Sequence, residues 1–277
     1  MRLDDSHVAL VTGAGRGLGE SIARTMAAAG ARVGLLDIDE LSAQRVAGLI
    51  ADSGGDALAI HGDVSVPEDV AGAMRVCWDR WGRLDTLVNN AGVMPGVLQP
   101  LSDLDDSEWD RVMDVNVKGP FLCTRAAAPL MRDSGGGVIT NITSIGGHLG
   151  YPGRGAYGAS KAALENLTLQ SAVELGPWNI RVNSISPGWF MTAMTAYAYN
   201  RPDEAQRRQA TVPIGRIGAP EDVASLALFL STPEANYISG ASIEIDGGLL
   251  AAGLKSTFDL AKFRPTGSDT NAGSGPT

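Results

Sequence analysis

Residues 8–19 read VALVTGAGRGLG, a short apolar run that passes into a glycine-rich turn and then into a helix-like segment. In such a strand–turn–helix unit, backbone N–H groups and the positive end of the helix dipole lie where a pyrophosphate could bind. The glycine spacing is G-x-x-x-G-x-G instead of the commoner G-x-G-x-x-G, and glycines after a strand often form only a tight turn. The candidate cofactor contacts in this loop are Gly13, Arg16, Gly17, Leu18 and Gly19.

Short runs rich in Val, Ile and Leu alternate with longer segments of helical period along the chain, a pattern typical of βαβ units around a parallel sheet. The predicted strands are 8–11, 32–36, 57–60, 84–88, 137–142, 180–185 and 241–245. The predicted helices lie near 18–29, 39–52, 67–81, 107–132, 156–175 and 220–231. Ser65-Val66-Pro67-Glu68 has the pattern of a capping box at the start of the third helix. We predict an α/β fold, a Rossmann-like doubly wound parallel sheet of about seven strands with helices on both faces.

The chain divides into one core and a tail. We expect a single domain over residues 1–250, closed by Asp246-Gly247-Gly248, and a C-terminal extension over 251–277. Residues 249–264 carry a small apolar cluster that we expect to pack against the core near the substrate cleft or across a subunit interface, although a frayed tail with incidental aromatic residues would look similar. The closing RPTGSDTNAGSGPT has too little apolar surface to offset its ordering entropy, so we expect it to be disordered.

The composition excludes several classes of function. The 22 Lys and Arg residues are outnumbered by 31 Asp and Glu, and the resulting charge of −9 would repel a nucleic acid. No apolar stretch reaches the ~18 residues of a membrane span, and the chain before the first apolar run is too short for a signal peptide. We therefore expect a cytoplasmic protein with no nucleic-acid or membrane partner.

The cysteines and histidines do not indicate a metal site. Cys77 and Cys123 are far apart, which matches neither a disulfide framework nor metal-ligand spacing, so they are interpreted as buried thiols. His7, His61 and His148 also lack metal-ligand spacing. We predict that the protein binds no metal.

The acidic residue at the end of the second strand bears on the choice of cofactor. Asp37 lies 18 residues beyond Gly19, close to the spacing of a carboxylate that binds an adenosine ribose. A carboxylate binds ribose hydroxyls but repels a 2′-phosphate, which favours NAD over NADP. Arg16 is evidence in the other direction, because a guanidinium in the glycine loop could reach such a phosphate.

Two further strand ends could meet the same cofactor. Asp63 and Val64 close the third strand, where they could flank an adenine, although they could equally form a loop that leads into the next helix. Asn89-Asn90-Ala91-Gly92 closes the fourth strand, with Asn90, Ala91 and Gly92 as candidate contacts; a purely structural role is nearly as plausible.

A serine and a Tyr-x-x-x-Lys sequence supply the candidate chemistry. Ser144 follows the fifth strand, and Tyr157 and Lys161 are neighbours on one face of the helix that comes next. Tyr-x-x-x-Lys alone is common on surface helices. It gains weight here because it follows a nucleotide loop and a serine at a strand end.

Taken together, these motifs resemble the short-chain dehydrogenase/reductase family over about residues 6–250. The shared features are TGAGRGLG (12–19), Asp63, NNAG (89–92), Asn116, Ser144, Tyr157 with Lys161, Pro187-Gly188 with Thr192, and DGG (246–248). The chain departs from the family pattern in the tail beyond Gly248.

The resemblance implies a hydride transfer between NAD(H) and a secondary alcohol or ketone, with Tyr157 as general acid/base. Lys161 and the positive nicotinamide ring would lower the pKa of the tyrosine from about 10 towards neutrality. Ser144 would bind the substrate oxygen, and Asn116 would hold a water that links Lys161 to solvent. Pro187, Gly188 and Thr192 would meet the nicotinamide.

The segment after Gly188 is the expected substrate lid. Its aromatic and Met residues predict an apolar, alicyclic or aromatic substrate, although a lid that only packs on the core would look similar. The candidate pocket residues are Trp189, Phe190, Met194 and His148, of which the histidine could equally be a surface-loop residue. Related enzymes commonly form homotetramers through the helices near 107–132 and 156–175.

Other functions remain as alternatives. An NADP(H)-dependent enzyme similar to 3-oxoacyl reductases would use the same residues. A non-catalytic dinucleotide-binding sensor would not need Ser144, Tyr157, Lys161 and Asn116 together, and a methyltransferase with a glycine-rich loop would leave Tyr157 and Lys161 unexplained.

Overall fold

The structure is a computed structural model, and it describes residues 1–191 and 202–253. Seven strands lie within these ranges: β1 (Val8–Thr12), β2 (Arg32–Asp37), β3 (Ala57–His61), β4 (Thr86–Asn89), β5 (Gly137–Ile142), β6 (Ile180–Pro187) and β7 (Ser242–Ile245). They form one parallel sheet in the order β3-β2-β1-β4-β5-β6-β7. The predicted Rossmann-like α/β fold is confirmed, and its strand order reverses between β1 and β4, where such sheets bind ligands.

Helices cover both faces of the sheet. Within the described ranges they are α1 (Gly17–Ala28), α2 (Glu40–Asp52), α3 (Pro67–Trp81), α4 (Asp106–Met113), α5 (Gly119–Asp133), α6 (Tyr157–Leu175), α7 (Pro202–Thr211) and α8 (Pro220–Leu230). Ala9 and Val11 of β1 face the core under α1, α2 and α8, while Val8 and Leu10 face the core under α3 and α5. Because both of their faces are buried, β1 and β2 are almost continuously apolar.

The helix predicted near 107–132 is interrupted. Asp114–Lys118 forms a π-helical turn between α4 and α5, with Asn116 fully buried in it. The apolar period continues through this segment, so the sequence gives no sign of the wider turn. Single π-turns of this kind occur most often at functional sites.

Two helix starts differ from the prediction. Helix α7 was not predicted, because its sequence PDEAQRRQAT has no apolar face, although its first turn carries Asp203 and Glu204. The predicted capping box at 65–68 is wrong: the N-cap of α3 is Val66, and no side chain caps it. Ser65 instead donates from its backbone and its hydroxyl to Asp63 Oδ1, at 2.8 and 2.7 Å.

Both cysteines are buried free thiols, as predicted, and burial raises the pKa of each to about 12. Among the described residues, no helix is long and apolar enough to cross a membrane. The described residues also contain no cluster of His, Cys, Asp or Glu that could hold a metal ion. Most of the predicted extension, from residue 254 onward, lies outside the described residues.

Candidate active site

The glycine loop presents bare backbone at the start of α1. Gly13 and Gly17 have φ of 62° and 61°, a left-handed conformation that favours glycine. A Cβ on Gly13 would lie 2.9 Å from the Cα of Ala91, so the loop passes close to the end of β4. Arg16 is the N-cap of α1, but no side chain caps the first-turn N–H groups of this 12-residue helix. An anion of pyrophosphate size fits these donors and the helix dipole.

The ends of β1 and β4 are hydrogen-bonded to each other at the point where the strand order of the sheet reverses. The hydroxyl oxygen of Thr12 accepts hydrogen bonds from the N–H groups of Asn90 and Ala91, both at 3.0 Å. The side-chain amide of Asn90 donates to the carbonyls of Thr12 and Gly13, at 2.9 and 3.0 Å. These bonds hold the predicted cofactor residues of both strand ends at one edge of the sheet.

Asp37 lies beside the glycine loop. Its carboxylate accepts hydrogen bonds from the backbone N–H of Gly15 at 2.7 Å and of Asp39 at 2.9 Å. Asp37 is therefore held at the carboxyl end of β2, while Arg16 is exposed in the adjoining loop. Val64 is buried, and the carboxylate of Asp63 is used to cap its own turn through Ser65.

Ser144 and Tyr157 meet at the carboxyl end of β5. Their side chains are hydrogen-bonded to each other, and Ser144 Oγ also accepts from the N–H of Gly146 at 3.1 Å. Burial raises the pKa of Tyr157, and the Ser144 hydrogen bond and the charge of Arg154 partly offset this rise. The lowering of this pKa that the resemblance implies needs both Lys161 and the positive nicotinamide ring, and it stays a prediction.

Lys161 is a buried cation. Its Nζ donates to the carbonyl of Ile142 at 2.8 Å and lies 5.8 Å from the ring centroid of Tyr157. Burial lowers the pKa of Lys161 to about 8. The lysine thus stands one helical turn beyond the tyrosine, on the same side of α6.

The π-turn brings Asn116 to the same place. Asn116 Oδ1 accepts from the N–H of Val93 at 2.8 Å, and Nδ2 donates to Val93 O at 2.9 Å and to Ser160 Oγ at 3.0 Å. A Cβ on Gly92 would lie 3.3 Å from Asn116 Oδ1 and 3.4 Å from Lys161 Nζ. The side-chain amide of Asn116 therefore binds the protein itself, and the water that the resemblance implied is not needed to satisfy it.

The end of β6 lies beside the other strand ends and completes the cleft that they form. Pro187 is its last residue, and Gly188 donates to the carbonyl of Ile245 at 3.1 Å. A Cβ on Gly188 would lie 2.7 Å from that of Asp246, so the DGG segment packs directly on this glycine. Thr192 and Met194, also predicted as site residues, lie outside the described residues.

The structure places two of the predicted pocket residues, Trp189 and Phe190, in different surroundings. The Trp189 ring lies 6.1 Å from that of Tyr151, which in turn stands edge-on to Tyr157 at 6.4 Å. Phe190 is buried, with its ring against Gly218, because glycine leaves room for it.

His148 lies beside two carboxylates that the sequence did not indicate. Its Nε2 lies 2.9 Å from Glu165 Oε1 on α6 and 3.9 Å from Glu244 Oε1 on β7. The ring is therefore held by these two carboxylates, and its role as a pocket-lining residue stays a prediction.

Sequence reasoning missed several residues of the site. Thr12 and Ser160 hold the main chain around it, with Ser160 Oγ donating to Tyr157 O at 2.7 Å, and Tyr151 and Arg154 pack beside Tyr157. The position of Tyr151 and Arg154, within six residues of Tyr157, was the one available signal.

Comparison with known proteins identifies the family. The family model described as enoyl-(acyl carrier protein) reductase matches residues 13–250. Cyclopentanol dehydrogenase of Comamonas sp. (strain NCIMB 9872) is 39% identical over 250 residues, covering 90% of this chain and 99% of that protein. The chain belongs to the short-chain dehydrogenase/reductase family.

Other members of this family extend the comparison. Trans-4-hydroxycyclohexanecarboxylate dehydrogenase of Sinomonas cyclohexanicum is 40% identical, covering 87% of this chain and 92% of that protein. The crystal structure of a putative short-chain alcohol dehydrogenase from Sinorhizobium meliloti 1021 has a TM-score of 0.85 at 40% identity, covering 90% and 98% of the two chains. A 7α-hydroxysteroid dehydrogenase solved with NADH and 7-oxo glycochenodeoxycholic acid has a TM-score of 0.85 at 37% identity, covering 89% and 95%.

Proposed function

We propose that the protein is an NAD(H)-dependent dehydrogenase of apolar, alicyclic secondary alcohols, or a reductase of the corresponding ketones. Membership of the family makes it an oxidoreductase that binds a nicotinamide dinucleotide. The observation that carries the proposal is that Ser144, Tyr157 and Lys161 meet beside the glycine loop, at one edge of the sheet. A bound nicotinamide would accept or donate the hydride.

The protein's own residues would carry out the proton transfer to or from the substrate. Tyr157 would exchange a proton with the substrate oxygen, and Ser144 would hydrogen-bond the same oxygen and orient it. Lys161, fixed by Ile142, places a positive charge beneath the tyrosine ring and favours the phenolate. The glycine loop, the start of α1 and Asp37 would hold the dinucleotide.

The cofactor preference can be tested at Asp37. We expect wild-type kcat/KM to be higher with NAD(H) than with NADP(H), because the carboxylate would face the 2′-phosphate. In Asp37→Asn, which keeps one of the two oxygens that accept from the N–H groups of Gly15 and Asp39, the ratio should shift towards NADP(H) by about 10- to 100-fold, or ~1–3 kcal/mol.

The double variant Asp37→Asn/Arg16→Gln is the matched control. If Arg16 binds the phosphate once the carboxylate is gone, this variant should lose the NADP(H) activity gained by Asp37→Asn. A wild-type preference for NADPH would contradict the proposed cofactor.

The substrate class can be tested with a panel of alcohols and ketones. Tyr151 and Trp189 place aromatic surface beside Tyr157, and two relatives are named for substrates that carry a five- or six-membered carbocycle. We expect cyclopentanol and cyclohexanol, or their ketones, to exceed polyols and free sugars in kcat/KM by about tenfold or more. A panel led by sugars would contradict the assignment.

A second candidate is an NADP(H)-dependent reductase similar to 3-oxoacyl reductases. The description of the matching family model and the exposed Arg16 favour it. Turnover of an acetoacetyl thioester with NADPH, above that of cyclopentanone with NADH, would decide for this candidate.

We also propose the homotetramer that the resemblance implied. The exposed face of α5 and α6 is apolar at Phe121, Leu169 and Val173, the last of which is 78% exposed. Large apolar side chains on neighbouring helices are typical of a surface that another subunit covers.

A further inference from the structure

The turn that carries Ser144 is a closed unit with His148 at its far end. Ser144 and His148 flank the 3₁₀ turn Ile145–Gly147, and Ser144 Oγ accepts from the N–H of Gly146. The N–H of His148 donates to the carbonyl of Ile145 at 3.0 Å. Because these bonds close the turn at both ends, a shift of His148 would also move Ser144.

This turn lies directly on α6, the helix that carries Tyr157 and Lys161. A Cβ on Gly158 would lie 2.8 Å from Gly146 O, and a Cβ on Gly147 would lie 2.9 Å from Ala162 N. The two glycine contacts set the distance between turn and helix. Such contacts of main chain against main chain are not directional, so the position of the turn along the helix axis depends on the side chains that join the two.

Two side-chain hydrogen bonds join the turn to α6: that of Ser144 with Tyr157, and that of His148 with Glu165. His148 Nε2 donates to Glu165 Oε1 at 2.9 Å, and Glu165 lies one turn beyond Lys161 and two turns beyond Tyr157 on the same helix. Strand β7 braces the pair: Ser242 Oγ donates to Glu165 Oε1 at 3.4 Å, and Glu244 lies 3.9 Å from the imidazole. The side chains of His148 and Glu165 are only 29% and 17% exposed, so water screens their contact less than it would on an open surface.

We propose that His148 and Glu165 are a positioning pair, which holds Ser144 at hydrogen-bonding distance from Tyr157. Neither side chain need touch the substrate or the dinucleotide. The inference rests on the proposed function only in placing the reaction at Tyr157, and it does not depend on which alcohol or which dinucleotide is used.

The pair can be tested by truncating each side. His148→Ala and Glu165→Ala should each lower kcat by about tenfold, since a misplacement of about 1 Å can cost up to a hundredfold. KM and the dissociation constant of NADH should change by less than about twofold, because the truncations remove no contact made by either molecule. Glu165→Gln keeps the acceptor oxygen and should retain most of the wild-type kcat. Glu174→Gln, at an exposed glutamate near the end of the same helix, is the matched control and should behave as wild type.

A double-mutant cycle separates positioning of Ser144 from general support of the fold. If the pair acts through Ser144, adding His148→Ala to Ser144→Ala should lower kcat no further. Wild-type kcat in His148→Ala, or a full additional loss in the Ser144→Ala background, would overturn the inference. A loss of kcat in Glu165→Gln equal to that in Glu165→Ala would also overturn it.

The same measurements keep this inference apart from the proposed function. The assay uses whichever alcohol and dinucleotide the wild-type protein turns over fastest. The wild-type panel tests the proposed substrate class, while the ratio of variant to wild-type kcat tests the pair.

Discussion

Tyr157→Phe should lower kcat by about 10²–10⁴-fold, the usual contribution of a general acid/base. The substitution removes only the hydroxyl that is hydrogen-bonded to Ser144, and the ring can remain in place on α6. The affinity for NADH, measured by fluorescence titration, should stay close to that of the wild type. Loss of turnover with retained binding would assign the proton step to this hydroxyl.

Tyr151→Phe is the control for this experiment. Tyr151 stands edge-on to Tyr157 at 6.4 Å, so it tests whether loss of any phenol in the cleft is harmful. We expect a change in kcat of less than about threefold. Retention of more than about a tenth of wild-type kcat in Tyr157→Phe would contradict the assigned acid/base role.

Lys161→Met should make the protein more stable and nearly inactive. The folded protein holds Lys161 at a pKa of about 8 against an ordinary value of 10.5, which corresponds to ~3 kcal/mol of burial cost at pH 7. The lost hydrogen bond to Ile142 O offsets about 1 kcal/mol of the gain. We expect denaturant titration to show a free energy of unfolding that is raised by about 2 kcal/mol, with kcat lowered by at least about 10²-fold.

The pH dependence of the free energy of unfolding shows whether burial of the Lys161 charge causes this gain in stability. Between about pH 8 and 10.5, the unfolded lysine holds its proton while the folded one has lost it, so wild-type stability rises with pH in this window. The increase in the free energy of unfolding of Lys161→Met over wild type should therefore be largest below pH 8 and should be gone by pH 10.5. Lys118→Met, at an exposed lysine paired with Asp114, should show neither effect. A destabilised Lys161→Met would mean that its hydrogen bond outweighs the burial cost.

The fold followed closely from the apolar runs, because strands buried on both faces leave a strong pattern in the sequence. The predicted strand 84–88 begins two residues early. Asp85 precedes the strand and joins its two neighbours: its N–H donates to Val8 O at 2.9 Å, its carbonyl accepts from Val138 N at 2.8 Å, and its side chain accepts from Val8 N. Local apolar character alone could not show these long-range bonds.

The site was only partly predictable. Ser144, Tyr157 and Lys161 are brought together because they lie at the end of a strand and on the first turns of the next helix. The partner of His148 could not be predicted, since Glu165 and Glu244 are distant in sequence and carry no motif. The core position of Phe190 depends on the missing side chain of Gly218, which is also a tertiary effect.

The π-turn at Asp114–Lys118 has a consequence for how the whole 106–133 segment can vary. Its wider turn holds one extra residue. The side chains of α5 are therefore rotated about the helix axis, relative to those of α4, by about 100°, the angle between successive helix residues. In this arrangement α4 packs on α6 while α5 packs mainly on α3, and Asn116 lies in the turn between the two helices. Deletion of a single residue here would merge the two helices into one cylinder and rotate one contact face away from its neighbour. The segment should therefore tolerate substitutions on its outer surface far better than any change in its length.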